Sequence, residues 1–272
     1  MTLSLSIVVP AYSEAARLGE TLGVILEYFN KTNHSSELVV VDDGSEDNTV
    51  AVARKALEHT GAISARLITY QPNRGKGYAV RTGLLACQGR IALFSDADLS
   101  TPITETPKLV APIEEGEFDL TFGSRALDRR LIGVHQPWRR EQGGRIFNLA
   151  VRLATGLPFW DTQCGFKAFR MSVCRPIVEA ATIDRFGFDV ELLYVAQLAG
   201  LRLREIPVRW DDNPGSKVSV WRDSFRMLNE VKKIRQQVDE GAYSEAISAA
   251  RTMVLVEQKQ ALHNSAAPAP RR

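Results

Sequence analysis

Two carboxylates lie one residue apart in the segment ALFSDADLSTP, directly after an apolar run that predicts a buried strand. In an extended or turn conformation, Asp96 and Asp98 point to one side, where their oxygens can hold a divalent cation that in turn binds a diphosphate. The simpler interpretation is that Ser100 or Thr101 caps the next helix, with Pro102 in its first turn. Both can hold together, because such a cap leaves the aspartates free.

A second acidic turn, VVVDDGSEDNT, also follows an apolar run. Turn formation alone could explain it, but Asp42 or Asp43 could also accept hydrogen bonds from a nucleobase or ribose. The segment NRGKGYAVRTG lacks the spacing of a nucleoside triphosphatase phosphate loop. Its Gly75 and Gly77 would let the backbone approach a ligand, and Lys76 offers a positive charge. No G-x-G-x-x-G motif follows a predicted strand, which disfavours a dinucleotide-binding fold.

The stretch from residue 125 to 145 is basic, with six arginines against two acids and therefore a local charge of +4. Most basic runs are solvated surfaces. Beside an acidic metal-binding site, however, this one could receive a phosphate, which arginine binds with two parallel hydrogen bonds. Further along, Asp189 precedes an apolar helix, where an aspartate most often acts as a cap.

Apolar β-branched runs alternate with helical patterns in the first half of the chain, which predicts a mostly parallel α/β sheet with helices on both faces. In such sheets, ligands bind outside the carboxyl ends of the strands. We call the loops at these ends the carboxyl rim, and we expect it to comprise residues 10–14, 42–45, 71–77, 95–98 and 123–125. The predicted strands are 3–10, 37–43, 65–70, 90–96 and 118–124. Later elements are helices over 144–156, 189–200 and 220–238, and a bent strand or strand pair over 201–210 with Pro207 at a sheet edge.

Bulk composition limits the functional classes. The 272 residues are 44% hydrophobic and 24% charged, with a net charge of +2, so composition does not indicate a nucleic-acid-binding protein. Three cysteines without metal-type spacing fit a reducing compartment, and no apolar stretch is long enough to span a membrane. We expect a cytoplasmic protein with one domain over 1–240. A helical extension over 241–272 would end in a disordered Ala/Pro/Arg segment.

The predicted helix 220–238 combines Trp221, Phe225 and Leu228 with Lys232 and Lys233. This composition suits a helix that lies at a membrane interface. The simpler interpretation packs its apolar face on the protein core, and we consider that interpretation the better one.

Eight segments, in this order, resemble the family 2 inverting glycosyltransferases, and within them the polyprenyl- and dolichyl-phosphate sugar synthases. The resemblance covers residues 3–238 and is strongest to the dolichyl-phosphate β-glucosyltransferase branch. It implies a GT-A fold that uses a divalent metal, Mg²⁺ or Mn²⁺. The segments are IVVPAYSEAARL, VVDDGSEDNT, NRGKGYAVRTG, SDADLSTP, FGSR, DTQCGFKAF, FGFDVELL and NPGSK.

The resemblance also implies roles for individual residues. The nucleotide would be bound by Pro10, Ala11, Tyr12, Glu14, Asp42, Asp43, Lys76, Asp96 and Ala97. The metal would be held by Asp98, with Asp96. The acceptor phosphate would be bound by Arg125, Arg139, Arg140 and Arg145. The residues expected to act in the transfer itself are Asp98, Arg125, Asp161, Asp189 and Lys217. Ser100 stands where the mannosyl branch often has Gln.

The implied reaction moves a hexose, most simply glucose from UDP-glucose, to a polyprenyl or dolichyl phosphate. GDP-mannose as donor and a sugar hydroxyl as acceptor are the enzymatic alternatives, and a sugar-nucleotide-binding scaffold is the non-enzymatic one. A phosphate acceptor is already ionised at neutral pH, whereas a hydroxyl acceptor needs a general base. Peripheral contact with a membrane, or with a membrane-protein partner, would follow from a lipid acceptor.

Overall fold

The computed structural model of the protein describes residues 3–32, 35–58, 60–61, 63–134, 137–213 and 220–266, without the side chains of 139–140, 220–225 and 261–266. The strands are β1 Leu5–Ala11, β2 Ser36–Asp42, β3 Ser64–Thr69, β4 Ile91–Ser95, β5 Leu120–Ser124, β6 Ile132–Val134, β7 Phe166–Arg170, β8 Leu203–Pro207 and β9 Trp210–Asp211. The helices are α1 Leu18–Lys31, α2 Thr49–Leu57, α3 Lys76–Ala86, α4 Thr106–Glu114, α5 Trp138–Thr155, α6 Met171–Ala180, α7 Phe188–Leu198, α8 Val220–Asp239 and α9 Ser244–Ala266.

The central sheet has seven strands in the order β3-β2-β1-β4-β7-β5-β8, and β6 pairs with β9 in a small second sheet. Parallel pairing joins β1 to β2 and β4, β2 to β3, and β5 to β8. The predicted α/β architecture with a mostly parallel sheet is confirmed, and the five predicted strands form β1 to β5. Pro207 lies on the edge strand β8, where its missing N–H leaves no ladder bond unmade.

Strand β7 was not predicted from the periodicity of the sequence. It runs antiparallel between β4 and β5, and Ser95 at the end of β4 pairs with Phe166 at the start of β7. This register brings the preceding segment, DTQCG, to the carboxyl rim between the ends of two parallel strands. The second half of the chain thereby contributes directly to the site built by the first half.

The sheet is buried on both faces, which explains the continuous apolar strands. In β1, Ile7 and Val9 pack with α1 and α4 on one face, while Val8 packs with α3 on the other. All three side chains are fully buried. A rigid sheet of this kind holds the strand ends, and hence the rim residues, at constant spacing.

Two predicted helix caps are wrong. Neither Ser100 nor Thr101 caps a helix: a 3₁₀ turn over Ile103–Glu105 precedes α4, and Thr101 is buried against Cys164 instead. Asp189 lies inside the first turn of α7 rather than at its N-cap, which is Gly187. In both places the aspartates of interest have other partners.

The C-terminal helices pack on the domain. Helix α8 buries Met227, Val231 and Ile234 in the core, as the simpler interpretation of 220–238 predicted. Tyr243 is 1% exposed and donates a hydrogen bond to Glu191, so α9 is tied to the same core. A boundary near residue 240 stays a prediction, and the predicted Ala/Pro/Arg end falls partly in 267–272, outside the described residues. No helix in the described ranges is both long and apolar enough to cross a bilayer.

Candidate functional site

Asp42 is the last residue of β2 and Asp43 follows it; both are buried, but their carboxylates differ. Asp42 Oδ2 accepts a hydrogen bond from the Ser45 amide at 3.1 Å, while its Oδ1 is buried without a hydrogen-bond partner. An unpaired buried carboxylate oxygen is unfavourable unless a ligand donor reaches it. Asp42 is therefore placed to accept a hydrogen bond from a ligand.

The Asp43 carboxylate is hydrogen-bonded to the protein itself. It accepts four hydrogen bonds, at 2.8 to 2.9 Å, from the Tyr70 hydroxyl, the Asn73 amide side chain and the backbone of Arg74 and Gly75. These bonds hold the loop between β3 and α3 against the end of β2. Nucleotide contact by Asp43 stays a prediction, and the protein itself already occupies both oxygens.

The loop after β1 forms one wall of the site. Pro10 and Ala11 are buried at the end of the strand, and Tyr12 exposes 44% of its surface. The Glu14 carboxylate pairs with Arg17, whose Nη2 lies 2.7 Å from Oε1. The pKa of Arg17 is raised, mainly by the hydrogen bond to Glu14 and further by the charges of Asp98 and Asp96. Arg17 thus belongs to the electrostatic environment of those acids.

Asp96 and Asp98 lie at the end of β4, at the centre of the rim. The Asp96 amide donates to the Gly165 carbonyl at 3.1 Å, and Asp98 Oδ1 accepts from the Ser100 amide at 2.9 Å. A Cβ at position 165 would lie 2.0 Å from Asp96 Oδ2. The Asp96 carboxylate therefore rests on the backbone of the segment before β7, in a position from which a side chain at residue 165 would displace it.

Lys76, at the start of α3, is the cation beside these acids. Its Nζ lies 2.5 Å from Asp96 Oδ1. Burial opposes protonation, but the charges of Asp96, Asp189 and Asp98 outweigh it and raise the pKa of Lys76. Asp189 has a second lysine as its ion-pair partner, so Lys76 balances only one of Asp96 and Asp98 and this part of the rim keeps excess negative charge.

The glycines beside Lys76 serve packing rather than ligand approach. A Cβ on Gly75 would lie 2.4 Å from the Asp184 carbonyl oxygen, and one on Gly77 would lie 2.5 Å from the Ile183 carbonyl oxygen. Both glycines let the start of α3 contact the segment before α7. That contact brings Lys76 and Asp189 together.

Asp189 forms a buried ion pair with Lys167. Lys167 Nζ lies 2.6 Å from Asp189 Oδ1 and donates to the Cys164 carbonyl at 2.6 Å, and the lysine side chain is fully buried. Burial raises the pKa of Asp189, opposed by the nearby charges of Lys167 and Lys76. The pair places the positive charge of Lys167, a residue of β7, beside the acidic part of the rim.

The carboxylates of the rim fit a divalent cation that is coordinated mainly by the phosphates of a bound substrate. Among the described residues no group of three or more His, Cys, Asp and Glu side chains could enclose a metal. Asp96 and Asp98 nevertheless supply hard oxygen ligands at an acid-rich site. Mg²⁺ is commonly bound through one or two carboxylates together with substrate phosphates. These two residues suit that arrangement.

Arg125 and Asp161 form the second buried ion pair of the rim. Arg125 Nε and Nη2 donate to the two oxygens of Asp161 at 2.7 and 2.8 Å, and the Arg125 amide adds a third bond at 3.0 Å. Burial opposes ionisation of Asp161, but the Arg125 guanidinium outweighs it and lowers the pKa of the carboxyl. The Arg125 side chain is 28% exposed.

A cleft of about 470 Å³ opens beside Arg125, between α5 and the end of β5. Arg145 is about half exposed in its wall and lies 3.6 Å from Glu141, which also pairs with Arg129. Three of the six arginines in the basic stretch, Arg125, Arg129 and Arg145, thus line this cleft. The side chains of Arg139 and Arg140, and all of Lys217, lie outside the described residues. The charged and aromatic groups that line the cleft are Arg125, Arg129, Glu141, Arg145, Arg152, Trp160, Asp161 and Trp210.

The comparisons with known proteins agree with this geometry. Residues 6–177 match the model of the family described as "Glycosyl transferase family 2", which is more than half of the chain. The chain belongs to glycosyl transferase family 2. The family predicted from the eight segments is confirmed.

Several relatives of this family 2 glycosyltransferase carry the same name. The dolichyl-phosphate beta-glucosyltransferase of Drosophila melanogaster is 36% identical over 231 residues, which cover 80% of this chain and 70% of that protein. The human protein of the same name is 34% identical over 254 residues, covering 89% of this chain and 78% of that protein.

Solved structures confirm the fold. Glucosyl-3-phosphoglycerate synthase from Mycobacterium tuberculosis, crystallised with Mn²⁺, UDP and glucosyl-3-phosphoglycerate, superposes with a TM-score of 0.60. It is 21% identical, and the match covers 85% of this chain and 78% of that one. At this identity the likeness supports the GT-A fold of the family 2 glycosyltransferase and no finer property.

Three rim residues of the family 2 glycosyltransferase were missed by sequence reasoning. Lys167 had a visible signal, because it interrupts an apolar strand flanked by aromatic residues, and a buried lysine requires a partner. Arg17 had only its position after β1. Arg152 had no separate signal, because its role depends on which face of α5 meets the cleft.

Proposed function

We propose that the protein transfers glucose from UDP-glucose to a polyprenyl or dolichyl phosphate, with inversion at the anomeric carbon. One observation supports the proposal: the acidic residues Asp42, Asp96 and Asp98 lie on the same rim as a basic cleft lined by Arg125 and other arginines. The first suits a nucleoside diphosphate with its metal, and the second suits an anionic acceptor. The names of the relatives, at 36% and 34% identity, support the same reaction.

The donor would bind at the ends of β1, β2 and β4. The unpaired Oδ1 of Asp42 accepts a hydrogen bond from an N–H of the base, while Tyr12 and Ala11 line the pocket beside it. Mg²⁺ or Mn²⁺ held by Asp98 and Asp96 would neutralise charge on the leaving diphosphate. Lys76 and Arg17 add positive charge next to the same acids.

The acceptor phosphate would bind in the cleft. Arg125 is held in position by its three bonds to Asp161, and its exposed part faces the cavity with Arg145 and Arg152. Because the guanidinium is fixed before binding, little conformational freedom is lost when the phosphate arrives. Fixing both reactants on one rigid rim aligns the nucleophilic oxygen with the anomeric carbon.

The state of the carboxylates favours a phosphate acceptor over a hydroxyl. Asp161 is engaged by Arg125 and Asp189 by Lys167, so neither is arranged as a free general base. A hydroxyl nucleophile needs such a base, whereas a phosphate is already ionised at neutral pH. In this reaction both aspartates position cations.

The direct test supplies Mn²⁺ or Mg²⁺, a panel of labelled sugar nucleotides and a short polyprenyl phosphate, and measures label extracted into organic solvent. We expect glucosyl lipid from UDP-glucose. Asp98→Ala should abolish it, and Asp128→Ala, which removes a partly exposed aspartate paired with Arg130, should not. Product from GDP-mannose instead would show that GDP-mannose, and not UDP-glucose, is the donor. Label only in a water-soluble glycan would change the acceptor, and nucleotide binding without product from any donor would indicate a scaffold.

A further inference from the structure

Glu205, on the edge strand β8, is a carboxylate that no step of the proposed transfer uses. Its Oε2 lies 2.9 Å from the backbone nitrogen of Trp160, and its Oε1 lies 2.8 Å from the backbone nitrogen of Asp161. The two oxygens thus bind two consecutive amides of the segment before β7. Hydrogen bonds from an amide to a charged carboxylate are about twice as strong as those between neutral groups. Glu205 therefore fixes the backbone at the residue that holds Arg125.

Other side-chain oxygens hold the next two amides of this segment. Asn148 on α5 accepts through Oδ1 from the Thr162 amide at 3.2 Å and from the Thr162 hydroxyl at 3.1 Å. The Gln163 amide donates to Asp161 Oδ1 at 3.2 Å. Four consecutive amides, at residues 160 to 163, therefore donate to side chains. Because this segment lies between α5 and β7, outside any helix or strand, these side chains set the course of its backbone.

The Glu205 contacts reach the basic cleft through two residues. Asp161 is 2% exposed and holds Arg125 through three hydrogen bonds, so a shift of the Asp161 backbone would move the guanidinium with it. Trp160 stands in the cleft wall, where the centre of its ring lies 4.1 Å from Cζ of Arg152. Glu205 is not among the described residues that line the cleft. An effect of Glu205 on a ligand in the cleft must therefore pass through the residues that it holds.

The strand order explains how Glu205 can control Arg125. Strand β8 is parallel to β5, Glu205 pairs with Phe122, and Arg125 directly follows the end of β5. Asp161 is thus held on two sides, its amide by β8 and its carboxylate by the residue after β5. Two neighbouring strands of one sheet keep these anchors at a constant separation.

From this arrangement we infer that Glu205 is a positioning residue for the acceptor: by fixing the backbone of residues 160 and 161, it holds the Arg125 guanidinium in the orientation that receives the acceptor phosphate. The inference rests on the proposed lipid-phosphate acceptor. A guanidinium oriented before binding loses little conformational freedom when the phosphate arrives. Without the Glu205 contacts, part of the binding free energy would go into ordering the segment. Acceptor affinity would then fall, while the donor loops after β1, β2 and β4 would keep their structure.

The variant Glu205→Gln tests this role, because it keeps the volume and replaces one accepting oxygen by an N–H donor that faces an amide N–H. We expect the KM for a short polyprenyl phosphate to rise about ten-fold and the KM for UDP-glucose to stay unchanged. Glu205→Asp keeps both oxygens on a shorter side chain, so its KM for the acceptor should lie between those of wild type and Glu205→Gln. Initial rates with each substrate varied in turn would measure these constants.

Glu37 offers a matched control at the opposite end of the sheet. Its carboxylate also accepts from two consecutive backbone amides, those of Gln88 and Gly89, and the residue is fully buried. Glu37→Gln should lower the Tm at least as much as Glu205→Gln does, and should leave the KM for the acceptor unchanged. If both variants raised that KM equally, general destabilisation would explain the effect, and the positioning role would be overturned.

A change of background shows whether Glu205 acts through Arg125. In Arg125→Met/Asp161→Leu, the guanidinium that Glu205 positions is gone, so adding Glu205→Gln should cause no further loss of kcat/KM for the acceptor. A further loss of about ten-fold would place the action of Glu205 elsewhere and contradict the inference.

Two measurements on wild type separate this inference from the proposed function. If wild type transferred glucose to no polyprenyl phosphate, the proposed function would be wrong. Calorimetric binding of the same lipid in the presence of UDP tests Glu205 whether or not transfer occurs, and we expect about ten-fold weaker binding by Glu205→Gln. Equal affinity of wild type and Glu205→Gln, or no binding by wild type, would overturn the positioning role.

Discussion

The two ends of the carboxyl rim are built on opposite electrostatic plans. At the donor end, Asp42 presents a carboxylate oxygen with no hydrogen-bond partner, and Asp96 and Asp98 concentrate negative charge. At the proposed acceptor end, the buried acid Asp161 is fully engaged, and its partner Arg125 lines the basic cleft. The end with Asp42, Asp96 and Asp98 therefore suits a cation and a ligand that donates hydrogen bonds. The end with Arg125 suits an anion.

The difference follows from how each end is constructed. Parallel strands alone bring the donor loops together, so each loop contributes its own side chains. The acceptor end depends on antiparallel β7, which delivers Asp161 and Gly165 to a rim already occupied by β4 and β5. The inserted segment brings its charge as ion pairs, because a lone charge there would be buried. Variants at the two ends should accordingly fail in different ways.

The largest expected effect is at Asp98. Asp98→Ala should lower the transfer rate by about 10³-fold or more, because stabilisation of a leaving group in the transition state is commonly worth about 3 to 4 kcal/mol or more. Folding should be unaffected, since Asp98 is only partly buried. Single-turnover kinetics with labelled donor would measure the loss. Transfer at the wild-type rate would remove Asp98 from the metal site.

Arg125 should show both a catalytic and a stability defect. Arg125→Met leaves Asp161 buried and unpaired, which should lower the free energy of unfolding by about 3 to 5 kcal/mol. Transfer should fall by about 10²-fold. The loss should concern use of the acceptor rather than binding of the sugar nucleotide. Because the pKa of Asp161 is lowered in the folded state, the pair stabilises the protein above the unfolded pKa of about 3.9. That stabilisation is lost as the pH falls through the folded value.

A double variant separates these two effects. Arg125→Met/Asp161→Leu removes both charges, so most of the stability should return, as replacement of buried pairs by apolar groups often shows. Transfer should remain low, because the acceptor has lost its guanidinium. Denaturant unfolding and initial rates on the same preparations would measure both. Recovered transfer in the double variant would show that Arg125 only pairs with Asp161 and does not bind the acceptor.

Asp42 should affect donor affinity alone. Asp42→Asn keeps the volume but replaces one carboxylate oxygen by an N–H donor, which would meet the donor N–H of the base. Hydrogen bonds to charged groups are worth about 1.5 to 3 kcal/mol, so UDP should bind about 10- to 100-fold more weakly in calorimetry. Asp43→Asn instead should mainly lower stability, because Asp43 holds the loop before α3. Equal nucleotide affinity in wild type and Asp42→Asn would place the base elsewhere.

The donor end was largely predictable from sequence. Continuous apolar strands followed by Asp42 and by Asp96 with Asp98 sufficed, because parallel strands always carry their following loops to the same rim. The error lay in local detail. Capping propensity predicted roles for Ser100 and Asp189 that the fold does not use, because the helices begin elsewhere and Asp189 has a buried lysine to pair with.

The acceptor end was predictable only as composition. The arginine-rich stretch predicted an anion site, but which arginines meet Arg125 depends on how α5 rotates against the core, and no local pattern sets that rotation. The direction of β7 was equally hidden, since a strand of five residues pairs according to what the sheet leaves open. Family resemblance supplied Asp161, and only the three-dimensional contacts showed that it holds Arg125.

The smallest effect on transfer should come from Lys167, which connects the two ends. Lys167→Met keeps the length of the side chain but removes the cation nearest to Asp189. The pKa of Asp189 is already raised by burial and is held down in part by Lys167, so the variant should raise it further. If ionised Asp189 supports the charge of Lys76, the acidic limb of the activity profile should move to higher pH. Lys167→Arg should restore the wild-type profile in part.

The pH profile separates this electrostatic role from simple packing. A carboxyl whose folded pKa is raised binds its proton more tightly when folded, so Asp189 destabilises the protein as the pH rises from the unfolded toward the folded value. The stability difference between Lys167→Met and wild type should therefore be larger at pH 8 than at pH 5. Adding Asp189→Asn to Lys167→Met should remove that dependence on pH. A uniform loss at both pH values would show that Lys167 only fills space, and the two ends of the rim would then act independently.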